Sequence, residues 1–314
     1  MLRLRNRNSG WNLLGRNAGV GFLLLVFSAP LLLAQQPVKG TFTPIDIPGA
    51  TYTRPLGINA EGTIVGNYKD ANGNSHGFVL SDDGFVTIDY PGALFTVASG
   101  INAQGTIVGY YCPIAPCGPI NTYHGFVLKD GNFTSFTFPG HKNLFTAHIN
   151  DREEIAGCYH DGDLMASMHG FLLSDGNFSG FDVPASMHNA KSLDGTIVGL
   201  FFDPSLLRNR AYTLRHDEFS AFDFPSATLT WAWDINEKGE IVGEYADASG
   251  DRHGFLRNEE GFFSIDYPGA VSTSRGAINS RGSIVGQYID ANNHVHGFLL
   301  TRHQENNDEH ETRR

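Results

Sequence analysis

Carboxylates, imidazoles and tyrosines recur at set places in this chain, and they are the side chains that could do chemistry. Tyr68, Asp70 and His76 are followed by Asp89; the first Asp recurs as Asp161, Asp203, Asp247 and Asp290, and the second as Asp46, Asp182, Asp223 and Asp266. His76 recurs as His124, His169, His253 and His296. His beside carboxylate can ligate a divalent ion or exchange protons. The same groups can instead tie each loop to a neighbouring unit by hydrogen bonds. A residue type needed in every unit serves what every unit shares, so bracing is the reading we expect. Asp70-Ala71-Asn72-Gly73-Asn74 has some likeness to a calcium loop, but the bidentate Glu is missing and an Asn-Gly hairpin turn explains it equally well. No metal and no cofactor is expected.

These residues are carried by a repeat. Ile64-Val65-Gly66 returns at Ile107, Ile155 (as Ile-Ala-Gly), Ile197, Ile241 and Ile284, at spacings of 43, 48, 42, 44 and 43 residues. An Asn-x-x-Gly turn precedes it (Asn59 to Gly62, Asn102 to Gly105, Asn236 to Gly239, Asn279 to Gly282), and His-Gly-Phe with an aromatic run follows. Each unit divides into four strands, A to D, which in the first are Tyr52–Asn59, Thr63–Tyr68, His76–Leu80 and Phe85–Asp89. Four short strands in about 44 residues match one β-propeller blade. The sequence predicts an all-β, six-bladed β-propeller over 35–303, with a solenoid of hairpins as the alternative. The sixth unit ends after its C strand at His296–Leu300, while residues 42–50 read as an orphan D strand that completes that blade and closes the ring. Small residues (Gly66, Gly57, Gly100, Ala98, Ala277) are expected where blades crowd the axis. In such a blade the B–C and D–A loops share one rim, which collects the repeated Tyr, Asp and His.

Specific function is expected where the repeat breaks. The B–C loops of units two to four (112–123, 160–168, 202–210) exceed the seven residues of the others, and unit four has Ala211 for His, Ser192 for Asn and Phe201 for Tyr. These loops bring Met165, Met168, Leu206, Leu207, Arg208 and Arg210, while His188, Trp231 and Trp233 stand near the axis. Asp234 occupies a place where most units have Gly or Ala. Trp231, Trp233, His188, Arg208, Arg210 and Asp234 are therefore the candidate ligand-binding residues, an aromatic and apolar patch at a funnel mouth. Blade packing explains the two tryptophans equally well. No catalytic residue is assigned: nucleophile elbow and phosphate loop are absent, and the Gly-x-x-Gly patterns fall between antiparallel strands. Cys112 and Cys117 could close a six-residue ring, with a bridge to Cys158 as the alternative.

With its Gly-Ile-Asn-x-x-Gly-x-Val-Val-Gly phrase and His-x-Phe tripeptide, the chain resembles the exported HAF-repeat family of bacterial proteins over most of residues 41–300. His-Gly-Phe stands for His-Ala-Phe, and Ile-Asp-x-Pro-Gly-Ala (Ile88 to Ala93, Ile265 to Ala270) for the usual Leu-Gly-rich end. The resemblance implies an extracellular or envelope protein and supplies no reaction.

Arg3, Arg5, Arg7 and Arg16 before an apolar run from Ala18 to Leu33 read as an export signal over 1–34, with an uncleaved anchor as the alternative. Cleavage removes four arginines and no acid, taking the net charge from −11 to −15. So acidic a product has no field for nucleic acid, and it has no second apolar segment of membrane length. Residues 304–314 read as a disordered polar tail. Together these features predict a secreted or periplasmic monomer, a binding or scaffolding module that takes an extracellular glycan or protein at the rim of the B–C and D–A loops, with a carbohydrate-active hydrolase or lyase using Asp and His residues of that rim as the alternative.

Overall fold

The computed structural model describes residues 36–114, 117, 123–141, 143–161, 168–181 and 186–303. The export segment, the tail, Met165 and Asp182 lie outside them. Every regular element among the described residues is a β-strand.

After β1 (Gly40–Ile45), the first unit is a four-stranded antiparallel meander of β2 (Tyr52–Ile58), β3 (Ile64–Lys69), β4 (Ser75–Ser81) and β5 (Gly84–Ile88). The same meander recurs in β6–β9 (Phe95–Ile101 to Asn132–Phe136), β10–β13 (Asn143–Ile149 to Asn177–Phe181), β14–β17 (Ser186–Lys191 to Glu218–Phe222) and β18–β21 (Leu229–Ile235 to Gly261–Ile265). The last unit has β22 (Ser272–Ile278), β23 (Ile284–Ile289) and β24 (Val295–Arg302), and β1 pairs antiparallel with β24. Ile45 faces Gly297 there as Ile88 faces Gly77 in the first unit.

The two repeated phrases are halves of one packing unit. The Phe of His-Gly-Phe is fully buried in each unit (Phe78, Phe126, Phe171, Phe255, Phe298, with Tyr212 in the fourth). Its ring lies against the Gly of Ile-Val-Gly: a Cβ on Gly66 would sit 2.7 Å from the Phe78 ring and 2.1 Å from the Arg54 carbonyl oxygen. Gly66 thus relieves crowding inside its own unit, a correction to the expectation that it does so at the axis. Crowding near the axis falls on Gly57, whose Cβ would lie 3.0 Å from the Gly100 Cα.

Hydrophobic cores fill the seams between successive units, because each sheet is covered on both faces. One core joins Val65 and Ile88 to Ala98, Ile101 and Phe126; another joins Ala277 and Val285 of the last unit to Ile58, Ile64 and Phe78 of the first. The Asn of each Asn-x-x-Gly turn works twice. Asn59 Oδ1 accepts the Thr63 N–H at 2.9 Å, closing its own turn, while its Nδ2 donates to the Asn102 carbonyl at 3.3 Å in the next unit. Asn102 donates likewise to Asn150, Asn236 to Asn279, and Asn279 back to the Asn59 carbonyl at 2.9 Å. The sequence marks these asparagines as turn formers and gives no sign of the second bond.

Candidate functional site

The rim positions form braces. His76 Nδ1 lies 2.9 Å from Asp89 and its Nε2 lies 3.6 Å from Asp70, with the Tyr68 ring stacked on the imidazole. His253 stands the same way between Asp266 and Asp247, and His296 between Asp46 and Asp290. Unit four decides what this arrangement is for. Strand register sets Arg210 opposite Phe201, as His76 is opposite Tyr68, so Arg210 and not Ala211 occupies the His position. Its guanidinium spans the equivalent carboxylates, donating to Asp223 at 3.0 Å and Asp203 at 3.2 Å. A guanidinium neither ligates cations nor exchanges protons near neutral pH. The shared duty is therefore to hold two loops together, and it is exercised within a unit, not between neighbours as the sequence suggested. On this rim, neighbouring units meet through stacked rings instead, Tyr90 on Tyr111 and Tyr267 on Tyr288, at 3.7 and 3.6 Å.

The candidate ligand residues separate into three groups. Arg208 and Arg210 are committed to Asp223 and Asp203. His188 is buried in the interior, where its ring lies against Gly170 and its Nδ1 hydrogen-bonds the Tyr212 hydroxyl. Unit four alone replaces the buried Phe by Tyr, and the extra hydroxyl lies between His188 and the Met187 carbonyl, to which it donates at 3.1 Å. Burial holds that imidazole neutral, its pKa pushed down to about 4. Leu206 and Leu207 are exposed on the rim, whereas Met168 is buried.

Trp233 and Asp234 face an axial cavity of about 350 Å³. Its wall takes residues from the A strands of all six units: Leu56, Ser99, His148, Met187, Trp233 and Gly276 among them. The cause is a bulge that recurs in these strands, between Pro55 and Gly57, Ala98 and Gly100, Thr146 and His148, and Ala232 and Asp234. Bulges re-aim the side chains next to them. The residue before the last Ile (Lys191 in unit four) of each A strand is Gly57, Gly100, His148, Ala190, Asp234 and Ala277. The two units with a functional side chain there bring them together: His148 Nε2 lies 3.4 Å from Asp234 Oδ1. Asp234 also accepts backbone N–H bonds from Ile235 and Ile278, both at 2.8 Å. Burial raises its carboxyl above the ordinary carboxylate value, while His148 and the two N–H donors act in the opposite sense. Among the described residues, His148 Nδ1 is buried with no hydrogen-bond partner, and so is the indole N–H of Trp231. Trp231 packs edge-on against Trp233 at 5.8 Å and lies under the Arg252 guanidinium at 4.7 Å. Tyr110, Phe145 and Cys158 complete the apolar part of the wall. Cys158 is a free thiol pushed up to about 12 by burial, so it is no thiolate nucleophile, and Cys112 is bonded to Cys117. His148 escaped the sequence reading because the bulge that re-aims it leaves no mark in the residue pattern.

Solved structures share this architecture. The fold is of the β-propeller type. The propeller domain of the Trilobed protease from Pyrococcus furiosus aligns with a TM-score of 0.52 at 10% identity, covering 81% of this chain and 84% of that one. A mutant of the Aleuria aurantia lectin in complex with Fucalpha1-6GlcNAc aligns at 0.51 and 11%, covering 80% and 93%. The Xanthomonas campestris gluconolactonase XC5397 aligns at 0.51 and 14%, covering 86% and 99%. At such identities the likeness concerns the fold alone. No protein-family model matches the chain, and no curated protein matches it.

Proposed function

We propose that this chain is an exported, monomeric, six-bladed propeller of the HAF-repeat type, and that it binds a small ligand or one residue of a glycan in the axial cavity. The observation that carries this reading is the His148–Asp234 pair, two unrepeated polar residues that meet in a largely apolar, aromatic-lined chamber whose other polar side chains are Ser99, Thr146 and His160. A cavity of about 350 Å³ suits a small ligand. Trp233, Tyr110 and Phe145 would offer ring faces to it. Propellers of this architecture include a lectin and a lactonase, so the residues and not the fold must choose between holding a ligand and transforming it. Support for six closed blades comes from the β1–β24 pairing and the Asn279-to-Asn59 bond.

A second reading follows from the raised carboxyl of Asp234 beside His148: an acid–base pair acting on a bound sugar derivative. One experiment separates the two. Residues 35–314 are applied to polysaccharide arrays alongside Trp233→Ala and His148→Ala, with each spot checked for product. We expect binding without product, weakened about tenfold in Trp233→Ala by loss of the ring face. Product formation abolished in His148→Ala would establish the enzyme. Unchanged binding in both variants would remove the cavity from consideration.

A further inference from the structure

The sixth unit departs from its siblings at one rim position. In unit one, Asn74 Nδ2 donates to Asp70 Oδ2 at 2.9 Å and satisfies the oxygen that faces His76. In unit five the place belongs to Asp251, and in unit six to His294. The loop backbone is the same in all three: the Asp N–H donates to the carbonyl of the residue four positions on, at 3.0 Å each time, and the preceding residue has positive φ (Gly73, Gly250, Asn293). Only the side chain has changed, and it changes what the brace can do.

We infer that Asp290, His294 and His296 form a binding site for a divalent transition-metal ion of the zinc class, on the seam where β1 joins the last unit. One ligand atom from each lies within 4.8 Å of the others, the one such group among the described residues. Asp290 Oδ2 is 3.6 Å from both His294 Nδ1 and His296 Nε2. Neighbouring ligands on a tetrahedral zinc ion lie about 3.4 Å apart, given zinc–nitrogen distances of about 2.0–2.1 Å. The two separations from Asp290 therefore need little movement to close on an ion, and the one between the imidazole nitrogens lies within 4.8 Å. Asp290 Oδ1 is engaged by the N–H groups of Asn292 and His294 at 2.9 and 2.8 Å, which fixes the carboxylate; beside the two imidazoles, Oδ2 has a long 3.4 Å contact from Asn292 Nδ2.

His296 is already oriented as a ligand. Its Nδ1 lies 2.7 Å from Asp46, just after β1, and a carboxylate on the far nitrogen fixes the tautomer that leaves Nε2 free to bind metal. His294 is exposed, so the remaining coordination position opens to water. Through Asp46 the ion would couple to the β1–β24 junction, and binding would stabilise the folded chain by mass action.

The test uses the full chain without a polyhistidine tag, stripped with chelator and titrated with zinc ion in a calorimeter, with melting curves taken with and without the metal. We expect a single equivalent to bind and the melting temperature to rise. His294→Asn places the side chain of unit one's Asn74 at this position and keeps the fold; it should weaken binding about tenfold or more and remove the metal-dependent rise. Asn74→His should add a second equivalent. Absence of binding in the native chain, equal affinity in His294→Asn, or a folded Asn74→His that stays at one equivalent would each overturn the assignment.

Discussion

The rim and the axis of this protein use the same residue types to opposite ends. On the rim, His76, His253 and His296 each stand between two aspartates, and Arg210 does the same work in unit four. On the axis, His148 and Asp234 meet once, where the other units place Gly or Ala. A polar residue that repeats with the fold maintains the fold. One that appears where the repeat calls for nothing is available for a ligand, unless a local defect accounts for it. His188 is that exception, since it compensates for the hydroxyl of Tyr212.

The largest expected effect concerns closure. Removing residues 35–50 exposes the edge of β24 and strips Ile45 and Ile47 from the core they share with Ile58 and Phe78. The loss should consume most of a stability of about 5–15 kcal/mol, leaving a chain that aggregates or melts far lower. An unchanged melting temperature would dissolve the idea that the two ends complete one blade.

Acid should act next, through His188. Its folded pKa of about 4 lies below the ordinary 6.5, so between those values the unfolded chain holds a proton that the folded chain does not. Stability is then complete above about pH 6.5 and falls as the pH drops toward 4, by up to about 3 kcal/mol from this one group. Melting curves of the double variant His188→Ala, Tyr212→Phe, which recreates the Ala232–Phe255 pair of unit five, should lack that component. The single variant His188→Ala leaves the buried Tyr212 hydroxyl with only the Met187 carbonyl and should cost about 1–3 kcal/mol, most of it recovered in the double variant. If the two changes proved additive, the compensation argument would fail.

The smallest effect belongs to the rim. Both partners of His253 are partly exposed, so His253→Ala should lower stability by less than about 1 kcal/mol and leave binding on polysaccharide arrays untouched. Lost binding in that variant would reverse the roles assigned to rim and axis.

The residues alone were enough for the repeat, the strands to within a residue or two and the break in unit four. Those readings work because turn glycines, alternating apolar residues and a buried Phe are local demands that each unit must meet separately. The sequence could not reveal that His148 is the partner of Asp234, that Arg210 holds the histidine position, or that His188 answers to Tyr212. Each depends on strand register, on a bulge, or on how units stack around an axis. Such contacts join residues dozens of positions apart, and no short-range preference encodes them. Local chemistry determined what each unit is; only their assembly decided which side chains meet.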